Sequence, residues 1–297
     1  MSMVNNANPG SSLVLLNLID RALVRRDKPL SRIDLLEIFR PDSLPKSENA
    51  RGKFNPNLDF WLKEGLWLQD DGGNISVSED ATDRNLAHRV LKVIISNARE
   101  STDQALLDGN RIEPFFRAMT CLLVQQGYTF MGGDEVGIGN GQEAVNRWLP
   151  GARGLNVTNE LSIFLKYGDF LGFLEPYREG YIVDPTRAIK PFLESLFAVE
   201  KKLPIRVFIG RLAEQIPLLD NGRIRCLLEP LMQELGWHPR KEHHVSPALS
   251  HALVRLESTF RLRFEKASDD ASSMELQLPG GVTRVVSDVI YVPVVTA

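Results

Sequence analysis

The chain has 297 residues, 43% hydrophobic and 25% charged, with a formal net charge of −3. Such a composition fits a globular protein of two or three small domains with a sizeable core, and it excludes a global positive field for nucleic acid, so any such binding must rest on local patches. Cys121 and Cys226 are the only cysteines, too few and too far apart for a zinc motif or a disulfide framework, which fits a reducing cytoplasm.

Residues 1–11 are polar and turn-rich and predict a flexible arm. SSLVLLNLIDRALVRR predicts a helix capped by Ser11 or Ser12, with Leu13, Leu16, Ile19 and Leu23 on one face. KPLSRIDLLEIFRP predicts a shorter helix, capped by Ser31 and closed by Pro41. PDSLPKSENARGKFNP reads as a polar loop, and LDFWLKEG as a third helix ended by Gly65. In LWLQDDGGNISVSE, Leu66 and Leu68 alternate with Trp67 and Gln69 before a DDGGN turn, which predicts a β-hairpin. Three helices and a two-stranded ribbon make the order of a winged helix-turn-helix, assigned to residues 12–80.

The stretch LSIFLKYG, Leu161 to Gly168, repeats the template of LDFWLKEG. Around it the same grammar recurs over residues 81–188, as a helical linker plus a divergent second winged-helix domain. NLAHRVLKVIISNA is the connecting helix, IEPFFRAMTCLLVQQ an apolar helix, MGGDEVGIGNG a loop and QEAVNRWL a short helix. VTNELSIFLKYG is the matching last helix, capped by Thr158, and DFLGFLEPYREGYIVDP is the hairpin, with Tyr181 and Val183 on its return strand. Residues 189–297 predict a third winged-helix-like domain with a β-hairpin. There KKLPIRVFIGRLAEQIP echoes the earlier KPLSRIDLLEIFRP, Ser246 caps VSPALSHALVRLES, and Phe260, Leu262 and Phe264 alternate with Arg261, Arg263 and Glu265. The expected fold class is α+β, mainly helical, with tandem winged helix-turn-helix domains.

Candidate chemistry is sparse. GIGNGQ, Gly137 to Gln142, misses the spacing of a dinucleotide fingerprint and reads as a loop. His238, His243, His244 and His251 cluster in sequence, with Cys226 nearby. His243 and His244 are adjacent, however, and in extended chain they would point to opposite sides. Asp42, Glu48, Asp134 and Glu135 lack the strand context of a metal-dependent nuclease. Positive charge is the more useful signal: residues 201–263 hold eleven Lys and Arg against six Asp and Glu. In a winged helix the third helix enters the major groove and the wing touches backbone. On that geometry Arg255, Arg261 and Arg263, with Arg240 and Lys241, are the expected DNA-contacting residues. Arg51 and Lys53 flank the third helix of the first domain, with Lys63, but Asp59 and Glu64 share that helix, which suits protein docking better than groove reading.

The opening segment, with SSLVLLNLIDRAL and LDFWLKEGLWLQDDGG, resembles the start of the DpdG family. EPFFRAMTCLLVQQGYTF, LSIFLKYGDFLGFLEP and GYIVDPTRAI resemble its middle. The resemblance runs over roughly residues 10–190. It implies a bacterial component of a DNA 7-deazapurine modification and restriction system, an anti-phage defence island. The family has no assigned catalytic residues, so the resemblance assigns none. The module order is also similar to the tandem winged-helix "kite" subunits of condensin-like complexes, which dimerise and grip a bridging subunit.

The expectation is therefore a non-catalytic, cytoplasmic DNA-binding or assembly subunit without cofactor or metal. Its partners would be double-stranded DNA, other defence-system proteins or a second copy, and not a membrane. The alternatives are a kite-like docking subunit and a winged-helix transcriptional regulator.

Overall fold

The Ser12 hydroxyl accepts a hydrogen bond from the Leu15 amide and starts α1, Leu13–Val24. The computed structural model describes residues 3–26, 28–39, 48–107, 113–130, 133–149, 154–267 and 272–293. Ser31 and Asp34 cap α2, Arg32–Phe39, reciprocally: the Asp34 amide donates to Ser31 Oγ and the Ser31 amide to Asp34 Oδ2. Pro41 lies outside the described residues.

Helix α3, Glu48–Glu64, starts well before the expected LDFWLKEG, so ENARGKFNP is helical rather than a loop. Pro56 inside it forfeits one backbone hydrogen bond. Burial of Phe54, Asn57, Leu58 and Trp61 on both sides of the proline holds the helix together. The hairpin follows as β1, Leu68–Gln69, and β2, Ile75–Ser76. Its inward face differs from the expected alternation. Trp67 is buried and its Nε1 donates to Asp20 Oδ1 at 3.0 Å, whereas Leu68 is 56% exposed. A buried indole with a polar partner outweighs simple alternation here.

Residues 3–11 are packed and not a loose arm. Met3 and Val4 are fully buried. The Asn6 amide donates to the Asn159 carbonyl, Asn57 Nδ2 to the Pro9 carbonyl and the Tyr167 hydroxyl to the Gly10 carbonyl. Gly10 is required there, because the Phe60 ring occupies the space of a Cβ.

The chain continues through α4, Leu86–Glu100, α5, Asp103–Leu107, α6, Glu113–Leu123, α7, Gly141–Asn146, and α8, Ser162–Leu171. A π turn, Val157–Leu161, precedes α8. Its cap is Asn156 and not Thr158: Asn156 Oδ1 accepts from the Thr158 and Asn159 amides, and Glu160 Oε2 accepts from the Asn156 amide. Strands β3, Leu174–Tyr177, and β4, Gly180–Val183, form the second hairpin, with Tyr181 and Val183 on the return strand as expected. Then come α9, Thr186–Ile189, α10, Leu193–Leu196, β5, Lys202–Pro204, α11, Ile205–Gln215, α12, Arg223–Glu234, and α13, Pro247–Ser258. Strands β6, Leu262–Glu265, β7, Met274–Gln277, β8, Thr283–Val286, and β9, Asp288–Tyr291, close the chain. The fold is α+β and mainly helical, with small antiparallel sheets.

One strand order recurs three times. Leu30 bridges Ile75 of β2, which pairs with β1. Val136 bridges Tyr181 of β4, which pairs with β3. Strand β5 pairs with β9, which pairs with β6. Each time a segment laid down between helices joins the last strand of the following hairpin. In the third unit, β7 and β8 form an inserted hairpin between β6 and β9.

The helix before each hairpin also ends in the same way. The Leu66 amide donates to the Trp61 carbonyl, Phe173 to Gly168 and Arg261 to Leu256. The residue that turns the chain has positive φ: Gly65 at 86°, Gly172 at 85° and Phe260 at 55°. The repeated sequence template is thus one helical turn out of register with the structural repeat. It sets Gly168 opposite Gly65, whereas Gly172 occupies that position. Gly168 lies inside α8, where Leu174 and Met119 pack against its backbone.

Candidate functional site

The eleven basic residues of segment 201–263 were the strongest functional signal, and the structure spends most of them on cohesion. Lys202 Nζ lies 2.8 Å from Glu265 and 3.0 Å from Asp288. Arg206 donates to the Ser272 carbonyl, Arg211 to the Leu196 carbonyl and Arg223 to Asp103. Arg225 is buried between Asp220, at 2.5 Å, and Glu229, at 2.7 Å. Arg240 donates to Asn221 Oδ1 at 2.6 Å and to the His244 carbonyl at 2.7 Å. Arg255 is ion-paired with Asp184. Arg263 lies 3.1 Å from Glu265. Among the described residues Lys201, Lys241 and Arg261 alone in this set lack such a partner.

Burial explains why these pairs form. Asp184 and Asp220 have no exposed surface. Burial pushes the Asp220 carboxyl up, but Arg225 and Arg240, with hydrogen bonds from Ser246, outweigh it and hold it below the usual aspartate value. Sequence reading missed these aspartates as partners. Their signal is an acidic residue ending an apolar run, YIVD and PLLD.

The predicted contact residues do not converge on one surface. Arg261 and Arg263 stand on the edge of β6, and Arg263 shares a rung with Lys202 across β9. Lys201 and Arg261 flank the end of β9: the Tyr291 amide donates to the Lys201 carbonyl and the Val292 amide to the Arg261 carbonyl. Their backbones are therefore two strand spacings apart, roughly 10 Å. Arg240 and Lys241 lie in the α12–α13 connection, beside β7 of the other sheet. Lys53 is exposed on α3, in the first unit, and Arg51 belongs to the same helix.

The three hairpin-preceding helices differ in exposure. Helix α13 has Ala248, Leu249, Ser250, Ala252, Leu253 and Leu256 buried, and its Arg255 points to the preceding unit. Helix α8 has Phe164, Leu165, Tyr167 and Gly168 buried, in part under the N-terminal segment. Helix α3 keeps a solvent face with Gly52, Lys53, Asp59 and Lys63, on which Asp59 is paired with Arg32 at 2.5 Å. The first hairpin turn carries Asp70 and Asp71, both exposed. Hydrogen bonds from Asn74 hold the Asp70 carboxyl below the usual value, so this hairpin turn is negative.

GIGN is a turn closed on itself, with Asn140 Oδ1 accepting from the Gly137 amide and Asn140 Nδ2 donating to the Glu135 carbonyl, and Gly141 and Gln142 open α7. A cleft of about 540 Å³ between the end of α4 and the α11–α12 connection is lined by Arg99, Glu214, Asn221 and Arg223. Both arginines are engaged by backbone carbonyls, Arg99 by Glu214 and Arg223 by Ala98, Arg99 and Ser101. His243 and His244 do not diverge as expected. Both face Glu275, while His238, His251 and Cys226 do not join them among the described residues.

The sequence profile of the DpdG-like family matches residues 1–270, and the chain belongs to that family. Membership points to a component of a 7-deazaguanine DNA-modification system. No curated protein and no solved structure matches the chain. No described helix is long and apolar enough to cross a membrane.

Proposed function

We propose that the chain is a non-catalytic assembly subunit of a bacterial 7-deazaguanine DNA-modification and restriction system that acts in anti-phage defence. It is built from three winged-helix units: α1–α3 with β1 and β2, α6–α8 with β3 and β4, and the region from α9 to β9. The recurring strand order and the shared helix ending support that division. The observation that carries the assembly reading is the burial of α8 and α13. A recognition helix must leave one face free for the groove, and the outer faces of these two are half-buried, with Lys166 and Ser258 their exposed residues, whereas α3 exposes Gly52, Lys53, Asp59 and Lys63. The free face of α3, beside an acidic wing tip, suits a protein partner. Co-expression with the other proteins of its system, followed by size-exclusion chromatography with light scattering, tests this reading. A stoichiometric complex supports it; a chain that elutes alone with every one of them overturns it.

A second reading is contact with the DNA backbone, and it has one specific support. Lys201 and Arg261 flank the end of β9 on its two sides, unpaired among the described residues, and Arg261 follows exposed Phe260. Two or three such cations give weak binding without base readout.

A further inference from the structure

His243 and His244 are consecutive, yet their rings meet at a centroid distance of 4.5 Å, nearly perpendicular. The cause is a turn in which the His244 amide donates to the Lys241 carbonyl at 3.0 Å. It brings both imidazoles to one carboxylate on β7. His243 Nε2 lies 3.8 Å from Glu275 Oε1, and His244 Nε2 lies 3.5 Å from Glu275 Oε2. One donor atom from each of the three residues falls within 4.8 Å of the others.

We propose that His243, His244 and Glu275 form a binding site for a single divalent transition-metal ion, with zinc the best match. The spacing leaves room for an ion between the groups. A direct imidazole–carboxylate hydrogen bond would close to about 2.7–3.2 Å, and both contacts stand off from that range. Ligands at roughly 2.0–2.1 Å in a tetrahedron are about 3.4 Å apart, which small side-chain rotations reach from here. Two imidazole nitrogens and a carboxylate are a donor set that zinc accepts, and three protein ligands leave one position open to water.

The backbone that carries the three donors is also held in place. The Glu275 amide donates to the His243 carbonyl at 2.8 Å, and the Val245 amide donates to the Glu275 carbonyl at 2.9 Å. Arg240 Nη1 holds the His244 carbonyl at 2.7 Å. Its guanidinium charge is balanced by the buried Asp220, whose Oδ2 lies 3.4 Å from Arg240 Nε, so it opposes a nearby cation weakly. An ion here would clip the α12–α13 connection to the inserted hairpin of the third unit.

The test is calorimetric titration of the untagged, metal-free full chain with zinc chloride, alongside His244→Ala and Glu275→Gln. We expect one equivalent bound, affinity lowered at least about tenfold in each variant, and a zinc-induced rise in melting temperature that is larger in the wild type than in either variant. Near-UV circular dichroism checks that the variants are folded, and His243→Ala, at the more exposed position, serves as a third variant. Absence of saturable binding to the wild type, or equal affinity in all the folded variants, overturns the proposal.

Discussion

Arg255, on the helix expected to read DNA in the third unit, forms an ion pair through Nη1 with Oδ2 of Asp184, at the end of the second hairpin. Asp184 is completely buried, and its other oxygen accepts from the Thr186 amide at 2.9 Å. The pair joins two units, so the positive charge that looked available for phosphate serves to hold the tandem together. Arg255→Ala should lower stability by about 2–3 kcal/mol. That is less than the roughly 3–5 kcal/mol of a fully buried pair, because the Arg255 side chain is 41% exposed. Urea unfolding of the single variants and the Arg255→Ala, Asp184→Ala double variant checks it. Additive losses would show that the two residues do not act as a pair.

Asp220 makes stability depend on acid. Its folded pKa lies below that of an unfolded aspartate, about 3.9. The contribution is therefore full above the unfolded value and is lost as pH falls through the folded one. The urea midpoint of the wild type should fall steeply below about pH 4. Asp220→Asn should be less stable at neutral pH, because buried Arg225 loses one of its two carboxylates and keeps Glu229, and should show a shallower acid slope. Equal slopes would contradict this.

The shared helix ending makes opposite predictions at two equivalent positions. Phe260 sits at φ 55° and is 82% exposed, so Phe260→Gly relieves backbone strain at little packing cost. A net gain of about 0.5–1 kcal/mol is expected, the relief being partly offset by the entropy of glycine in the unfolded chain. At Gly172 an added Cβ would meet the Ala188 amide nitrogen at 2.6 Å, on top of a φ of 85°. Gly172→Ala should cost at least about 2 kcal/mol. Thermal melts of both variants decide the matter, and shifts of the same sign would refute the equivalence.

Helix positions were legible because apolar residues recur with helical period, as in Leu16, Ile19 and Leu23 of α1. The hairpins were legible from their turns. Four features were not. Pro56 signals a break, yet α3 runs through it because packing on both sides outweighs one lost hydrogen bond. The repeated Leu-x-x-aromatic-Leu-Lys-x-Gly template misaligned the second unit because a one-turn slip keeps the same helix face inward. The basic segment looked free for DNA because sequence shows charges but not their partners: Arg255 pairs with Asp184, 71 residues away, and Lys202 with Glu265, 63 residues away. The convergence of His243 and His244 depends on a turn that no local pattern announces.

The most direct test of the central claim, that the tandem docks protein and does not read DNA, is fluorescence anisotropy of the full chain with labelled duplex DNA across a salt series, with Arg261→Glu/Arg263→Glu as the comparison. Binding should be no tighter than the roughly 10⁻⁴–10⁻⁶ M of non-specific contact, with a slope of log affinity against log salt of about −2 to −3, flattened in the double variant. A dissociation constant below about 10⁻⁸ M at physiological salt that depends on duplex sequence would contradict it.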